Sequence, residues 1–303
     1  MNDSLNQAKL IAQHHPQLQI GVAQTCETFV HELRRTHSPV FQSAWLGARS
    51  LGFIDKDASC IANAWEAQSL RTQHFDPKAW PVEASDFGIT YDTNTPSFAP
   101  CPERLGLYAV VPDAQWVDKV AQLGVPTVQL RFKSDDLAII EKQVLAAVKA
   151  VQGTSSLLFI NDHWQQAVDA GAYGVHLGQE DMQKVPMEAI RASGLRLGLS
   201  SHGYSEMLAA HAWRPSYLAL GAVFPTTLKK MQTAPQGLGR LEKYVQLMKP
   251  TPLVAIGGID LQALPDVIAT GVGSVAVVRA ITGASDTVSA VQAFMQQLPS
   301  PQH

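Results

Sequence analysis

Eight short apolar segments that alternate with helical patterns decide the fold of this chain. They are LGLYAVV (105–111), VPTVQLR (125–131), SLLFIN (156–161), YGVHLG (173–178), RLGLSS (196–201), YLALGAVF (217–224), PLVAIGG (252–258) and SVAVV (274–278). The segments between them have amphipathic helical periodicity, for example 135–151 and 182–193. Continuous apolar strands that alternate with helices are typical of a parallel sheet covered by helices. Eight such units predict an α/β fold, a (β/α)8 barrel, over residues 104–303.

A doubly wound open sheet is the alternative architecture. It is disfavoured because no GxGxxG motif follows the first strand. Residues 1–103 break the strand–helix rhythm: 18–35 and 39–69 have helical patterns, and 79–102 is rich in Pro, Thr, Asp and Ser. We therefore predict a mostly helical N-terminal extension and linker (1–103) followed by the barrel (104–303).

The composition excludes several classes of protein. The 303 residues carry 23 Lys+Arg against 26 Asp+Glu, a net charge of −3, so there is no overall field for nucleic acid or an anionic membrane. Three distant cysteines (Cys26, Cys60 and Cys101) exclude a disulfide framework or a cysteine zinc site. No apolar stretch reaches the roughly 18 residues of a membrane span, and the polar N-terminus lacks a signal core. We predict a cytoplasmic protein with neither a nucleic-acid nor a membrane partner.

Basic side chains follow the second strand. Period-two alternation places Gln129, Arg131 and Lys133 on one face, opposite Leu130 and Phe132. Inward-facing Arg and Lys side chains are costly unless an anion neutralises them. The pattern favours an anion site at the barrel mouth, where such enzymes place their reacting groups. A salt bridge at the barrel end is the simpler alternative.

Carboxylates follow the next two strands. Asn161 and Asp162 end the third strand, and Asp181 follows the fourth. Two carboxylates beside a basic cluster suit Mg2+ that is also held by water and substrate phosphate oxygens. Capping of the helices that follow explains one such residue but not the whole set.

The later strands end in groups that suit phosphate. Ser200 ends the fifth strand, and Thr226 and Lys229 lie in the loop after the sixth. Glycines 257–258 follow the seventh strand, and a helix begins at 278–279 after the eighth. This is the usual phosphate-binding arrangement of such barrels. The mouth is thus predicted to bind two anionic groups and a divalent cation.

These motifs, in this order and spacing, resemble the thiamine phosphate synthase family over residues 104–296. The matching segments are QLRFK (129–133), FIND (159–162), VHLGQED (175–181), LGLSSH (197–202), VFPTTLKKMQTAPQGL (223–238), VAIGGI (254–259) and GVGSVAVVRAI (271–281). The resemblance implies a Mg2+-dependent transferase of a pyrimidinylmethyl group. Its two small-molecule substrates would be 4-amino-2-methyl-5-hydroxymethylpyrimidine diphosphate and hydroxyethylthiazole phosphate. The products are thiamine phosphate and diphosphate, through a dissociative pyrimidine cation.

The resemblance also implies a role for each matching residue. The metal ligands would be Asp162 and Asp181. The diphosphate contacts would be Arg131, Lys133, Asn161 and Lys229. Gln129 would place the pyrimidine, and Ser200 would lie beside the reacting centre; Arg131, Lys133, Ser200 and Lys229 form the implied catalytic set. The thiazole phosphate would be held by Thr226, Gly257, Gly258, Val278 and Arg279.

Two positions depart from the family pattern. Leu228 stands where the second Thr of a T-x-T-K loop is usual, which removes one hydroxyl contact. Arg279 stands where the family usually has Ser before Ala-Ile. Neither change removes a metal or diphosphate group, so we expect weaker phosphate binding and a retained reaction.

Two other functions are alternatives. A thiazole tautomerase would share the barrel but is expected to lack the diphosphate-binding set, and a non-catalytic thiamine-phosphate sensor would not need two metal carboxylates. Residues 38–71 resemble the C-terminal helices of ribokinase-like kinases, yet Ser38-Pro39-Val40-Phe41 provides neither the Gly-rich anion hole nor the catalytic Asp. We predict instead a helical cover for the barrel or a surface for a homo-oligomer, with His14 and His15 exposed.

Overall fold

The computed structural model describes residues 2–21, 37–91, 96–226 and 233–299. Eight parallel strands form a closed barrel in sequence order, with β1 paired to β8. The strands are β1 (Gly106–Val111), β2 (Thr127–Leu130), β3 (Leu157–Asn161), β4 (Gly174–Leu177), β5 (Arg196–Ser201), β6 (Tyr217–Gly221), β7 (Leu253–Ile256) and β8 (Ser274–Val277). The predicted (β/α)8 barrel is confirmed, and the open sheet is wrong because β1 and β8 close the ring.

Aromatic rings fill the interior of the barrel. Tyr108, Phe159 and Tyr217 belong to a buried cluster separate from the larger core that lies between the strands and the helices. Gly198 on β5 makes room for one of these rings, since a Cβ there would lie 2.1 Å from Cζ of Tyr217. The rings form a solid floor below the carboxyl ends of the strands.

Helices cover the outside of the barrel. They are α4 (Ala114–Gln122), α5 (Leu137–Val151), α6 (Trp164–Asp169), α7 (Gln179–Met182), α8 (Met187–Ala192), α9 (Tyr204–His211), α10 (Gly237–Leu247), α11 (Leu264–Ala269), α12 (Arg279–Thr282) and α13 (Thr287–Gln297). The single helix predicted over 182–193 is wrong. In this segment α7 ends at the first residue, Met182, and helix resumes only at Met187, after Pro186, which lacks an amide hydrogen and is the N-cap of α8.

The extension is helical, as predicted. It contains α1 (Asn2–His14), α2 (Pro39–Ser50), α3 (Asp55–Thr72) and short 3-10 turns at Pro16–Leu18 and Ala84–Phe87. The pattern over 39–69 is two helices because the chain turns at Gly52, whose φ is +84°; a Cβ there would lie 2.0 Å from the Ile20 carbonyl oxygen. Most of the pattern over 18–35 falls at 22–36, outside the described residues. Ser38 caps α2 by accepting a hydrogen bond from the Phe41 amide at 3.1 Å.

The extension packs against the barrel through buried aromatic residues. Trp80 donates an indole hydrogen bond to the Tyr204 hydroxyl at 3.0 Å, and Phe53 packs on the same tyrosine. Arg240, only 2% exposed, donates to carbonyl oxygens of Leu18 and Leu51. One continuous core therefore runs from the extension into the barrel.

The prediction that His15 is exposed is wrong. Its ring packs edge-on against Trp65 and Trp80, and only 5% of the residue is exposed. Burial lowers the pKa of this imidazole, so it stays neutral in the folded chain. His14 is exposed, as predicted. Among the described residues, no helix is both long and apolar enough to cross a membrane.

Candidate active site

A cleft of about 1810 Å³ opens at the carboxyl ends of the strands. Each predicted site residue that the structure describes lines it: Gln129, Arg131, Lys133, Asn161, Asp162, Asp181, Ser200, Thr226, Gly257, Gly258, Val278 and Arg279. Lys229 and the departing residue Leu228 lie outside the described residues. The barrel therefore brings residues from seven strand ends to one place, while their individual roles stay predictions.

Asp162 has an unusual backbone at the end of β3. Its φ is +64°, a left-handed conformation that costs a residue with a side chain roughly 1–2 kcal/mol. The conformation is held by two hydrogen bonds: its amide donates to the His176 carbonyl at 3.0 Å, and its carbonyl accepts from the Trp164 amide at 2.9 Å. Its carboxylate forms an ion pair with the Lys133 ammonium. Such strain is typical of functional sites, where it aims a side chain.

Asp181 lies near Asp162 across the mouth. Burial raises the pKa of Asp181, and the negative charge of Asp162 raises it further. Two neighbouring carboxylates repel each other, and a bound cation would offset that repulsion. Among the described residues no group of three or more His, Cys, Asp or Glu converges. The pair thus fits Mg2+, which takes few protein ligands and keeps water and substrate oxygens.

The other polar groups predicted at the β2 and β3 ends differ in burial. Arg131 is half-buried, and its amide donates to the Val111 carbonyl at 2.8 Å, which continues the β1–β2 ladder one residue beyond β2. Lys133 is exposed, whereas Asn161 is only 6% exposed. The cationic groups are therefore more exposed than the Asn161 amide, which lies deeper in the cleft.

A chain of buried hydrogen bonds, which the motifs did not reveal, supports this site. Gln129 donates to the Tyr108 hydroxyl at 3.0 Å, and the Tyr108 and Tyr217 hydroxyls are 2.7 Å apart. His176 lies between Tyr217 and Ser200, with Nδ1 2.8 Å from the Tyr217 hydroxyl and Nε2 2.8 Å from Ser200 Oγ. Burial raises the pKa of both tyrosines, which keeps them protonated. Side chains from β1, β2, β4, β5 and β6 thus form one connected network.

Close packing against a neighbouring loop explains why a glycine, Gly257, follows β7. Gly257 has φ +105°, and a Cβ there would lie 2.5 Å from Cβ of Ala222. Its carbonyl accepts a hydrogen bond from the Phe224 amide at 2.9 Å, so the loops after β6 and β7 are tied together. Close approach of these loops shapes the side of the cleft where the motifs place the thiazole phosphate.

The fold and this cleft define a (β/α)8-barrel protein whose basic and acidic side chains gather at the carboxyl ends of its strands. The family model described as thiamine monophosphate synthase matches residues 107–281, more than half of the chain. The chain belongs to this family.

Individual relatives agree with the family model. A thiamine-phosphate synthase of Neisseria meningitidis serogroup A is 52% identical over 198 residues, which are 65% of this chain and 97% of that protein. One of Escherichia coli O157:H7 is 53% identical over 191 residues, 63% of this chain and 90% of the relative. A solved thiamine phosphate pyrophosphorylase from Pyrococcus furiosus superposes with a TM-score of 0.58 at 30% identity, covering 64% of this chain and 95% of the other. These relatives have about the length of the barrel alone.

Proposed function

We propose that this chain is a thiamine phosphate synthase, a transferase that joins a pyrimidinylmethyl diphosphate to hydroxyethylthiazole phosphate. The observation that carries the proposal is the convergence of Arg131, Lys133, Asp162 and Asp181 on one cleft. Family membership and relatives at about half identity support the same reaction. Its partners are two small molecules; a cytoplasmic location and a homo-oligomer stay predictions.

The proposed chemistry needs no protein nucleophile. The bond between the pyrimidine methylene carbon and the diphosphate oxygen breaks, and its electron pair leaves with the diphosphate. The thiazole nitrogen then donates its lone pair to the methylene cation, so no proton has to move. The protein's task is to bind both reactants in line and stabilise the leaving group.

The residues at the β2 and β3 ends suit the leaving diphosphate. Arg131 and Lys133 carry fixed positive charge to the rim, and Asn161 offers an amide donor. Lys133 already pairs with Asp162, so an arriving diphosphate would compete with that carboxylate for the ammonium. Gln129 and Ser200, both held by the buried network, would orient the aminopyrimidine.

Asp162 and Asp181 would hold Mg2+. Their mutual repulsion and the strained backbone of Asp162 support this assignment. The chemistry that the ion supplies when bound is charge neutralisation at the leaving diphosphate. The thiazole phosphate would lie on the opposite side of the mouth, at Thr226, Gly257, Gly258, Val278 and Arg279.

The decisive experiment incubates the purified chain with both substrates and Mg2+ and measures thiamine phosphate and diphosphate. We expect both products in equal amounts, and loss of turnover when a chelator removes the metal. A folded chain that binds thiamine phosphate but forms no product would contradict the synthase and favour the sensor. Turnover that survives complete metal removal would contradict the Mg2+ assignment alone.

Two variants test the site directly. We expect Arg131→Ala and Asp162→Ala each to lower turnover more than about tenfold, equivalent to 1.4 kcal/mol on the barrier. Lys142→Ala and Asp169→Ala are matched controls, because both side chains are exposed and lie outside the cleft. Full activity in both site variants would overturn the assignment.

A further inference from the structure

The N-terminal extension reaches the rim of the cleft. Gly52 and residues 54–57 line it together with residues 200–203 and 205–206, the loop that follows β5 and the start of α9. The extension lies outside the segment that matches the family model, 107–281. This contact is therefore particular to a chain with such an extension.

Asp57 makes the contact. It lies in the first turn of α3, is 4% exposed, and its Oδ1 accepts a hydrogen bond from the Ser205 amide at 2.8 Å. Helix α9 begins after Gly203, which has no side chain with which to cap it. The extension thus supplies the acceptor that a local N-cap residue supplies elsewhere.

Gly203 fits closely against the same carboxylate. A Cβ at this position would lie 2.2 Å from Oδ2 of Asp57. Burial raises the pKa of Asp57 to about 6, an effect that the Ser205 amide and the positive charge of Arg240 oppose. A carboxylate kept beside a cleft where its charge is disfavoured is typical of functional positions.

Ser200 is one of the last two residues of β5, directly before this loop. At its near end Ser200 is held by His176, and Ser201 Oγ donates to the Ala219 carbonyl at 3.3 Å. At its far end the loop is held by Asp57 from the extension. The loop is thus held by the barrel at the β5 end and by the extension at the α9 end, where Glu206 also accepts a hydrogen bond from the His202 amide at 2.9 Å.

We propose that Asp57 is a positioning residue of the active site: through Ser205 and Gly203 it holds the loop after β5, and with it Ser200, against the pyrimidine. This inference rests on the proposed synthase activity. The extension then contributes to the active site as well as covering the barrel. In this proposal Asp57 acts through the loop and not on the substrate itself.

The test compares Asp57→Ala with Asp57→Asn in the full-length chain. The alanine variant loses the acceptor for the Ser205 amide, and we expect kcat to fall about tenfold while KM for the thiazole phosphate stays within about twofold. Asparagine keeps an acceptor oxygen, so it should restore kcat to within about threefold of wild type. Equal kcat in wild type and Asp57→Ala would overturn the proposal.

A further variant, Gly203→Ala, tests the direct contact between Gly203 and Asp57. Its methyl group would push Asp57 away, so we expect a loss of kcat in the wild-type background. In the Asp57→Ala background the space is free, and the same change should cost less than about twofold. Effects that multiply in the double variant would contradict a direct contact between the two residues.

Asp86→Asn is the matched control. Asp86 is another buried carboxylate of the extension, 7% exposed and paired with Arg71, and it does not line the cleft. We expect unchanged kcat in this variant; a loss equal to that of Asp57→Ala would reduce Asp57 to a general structural role. Hydrogen exchange at the Ser205 amide measures the contact independently of activity, and it should accelerate in Asp57→Ala but not in Asp57→Asn or Asp86→Asn. An inactive wild type contradicts the proposed function and the inference with it, whereas unchanged exchange contradicts the inference alone.

Discussion

Tyr217 is the central residue of the network below the site. Its hydroxyl meets the Tyr108 hydroxyl on one side and the His176 ring on the other, and the residue is fully buried. Buried polar groups that lose a partner cost roughly 1–3 kcal/mol, because water cannot replace it. The network therefore stabilises the barrel and sets the positions of Gln129 and Ser200 together.

Tyr217→Phe tests this coupling. The change removes one of the hydrogen bonds of Tyr108 and one of those of His176 inside the barrel, so we expect the free energy of unfolding to fall by about 1–3 kcal/mol. We also expect a lower kcat, because His176, which contacts Ser200, loses the hydrogen bond that fixes the other side of its ring. Denaturant unfolding and steady-state kinetics measure the two effects.

Tyr91→Phe is the control for this change. Its hydroxyl also donates to a carbonyl, that of Lys249, but the residue is 41% exposed and lies outside the cleft. Water can replace that bond, so both quantities should stay near wild type. A Tyr217→Phe chain as stable and active as Tyr91→Phe would contradict a role for the network.

Sequence reasoning found only the two outer residues of this network. Gln129 and Ser200 stand at strand ends, where polar groups attract notice, whereas Tyr108, His176 and Tyr217 lie within apolar runs. An imidazole inside a buried strand was an available signal, because it needs partners there. Its partners are on other strands, and only the closed barrel brings them together.

At the scale of elements, strands were easier to predict than helix boundaries. Buried parallel strands are continuous apolar runs, so all eight were found, although seven of them are one to three residues shorter than the predicted segments. Helical periodicity continues across 39–69, yet the chain turns at Gly52 because it passes against the Ile20 carbonyl. That break depends on a contact between distant segments, which periodicity does not contain.

A substitution of Gly257, which follows β7, tests how closely the loops after β6 and β7 pack. Gly257→Ala places a methyl group on a residue with a positive φ, 2.5 Å from Cβ of Ala222. We therefore expect the free energy of unfolding to fall by at least about 2 kcal/mol. We also expect a higher KM for the thiazole phosphate. Gly153→Ala has a similar φ, +78°, but its Cβ would meet no atom within 4 Å. This control should lose only about 1 kcal/mol of backbone energy. Equal losses would show that the loops after β6 and β7 can separate without cost.

At the scale of the molecule, the extension could be predicted as a helical cover but its docking face could not. The contacts join Trp80 to Tyr204 and Leu18 to Arg240, pairs separated by 124 and 222 residues. Arg240 in particular reads as an ordinary solvated residue of an amphipathic helix. Its guanidinium instead lies over the Phe53 ring, with Cζ 3.4 Å from the ring centroid, and donates to two backbone carbonyls of the extension.

Arg240 allows the contribution of the extension to be measured. Because relatives have about the length of the barrel, we expect residues 101–303 to fold alone. Tyr204 and Arg240 would then lose the partners that Phe53, Trp80, Leu18 and Leu51 supply. We expect the shortened chain to melt at least about 5 °C lower, since 1 kcal/mol corresponds to roughly 2–4 °C for a domain of this size. It should also bind a hydrophobic dye at the surface around Tyr204.

Arg240→Leu should therefore affect the melting temperature differently in the full-length and the shortened chain. In the full-length chain Arg240→Leu removes the buried hydrogen bonds from Arg240 to the Leu18 and Leu51 carbonyls, so the melting temperature should fall. In the shortened chain those carbonyls are gone, and the substitution should be neutral or stabilising. Thermal melts of the four chains measure the difference. Equal falls in both backgrounds would contradict the conclusion that Arg240 is buried to hold the extension.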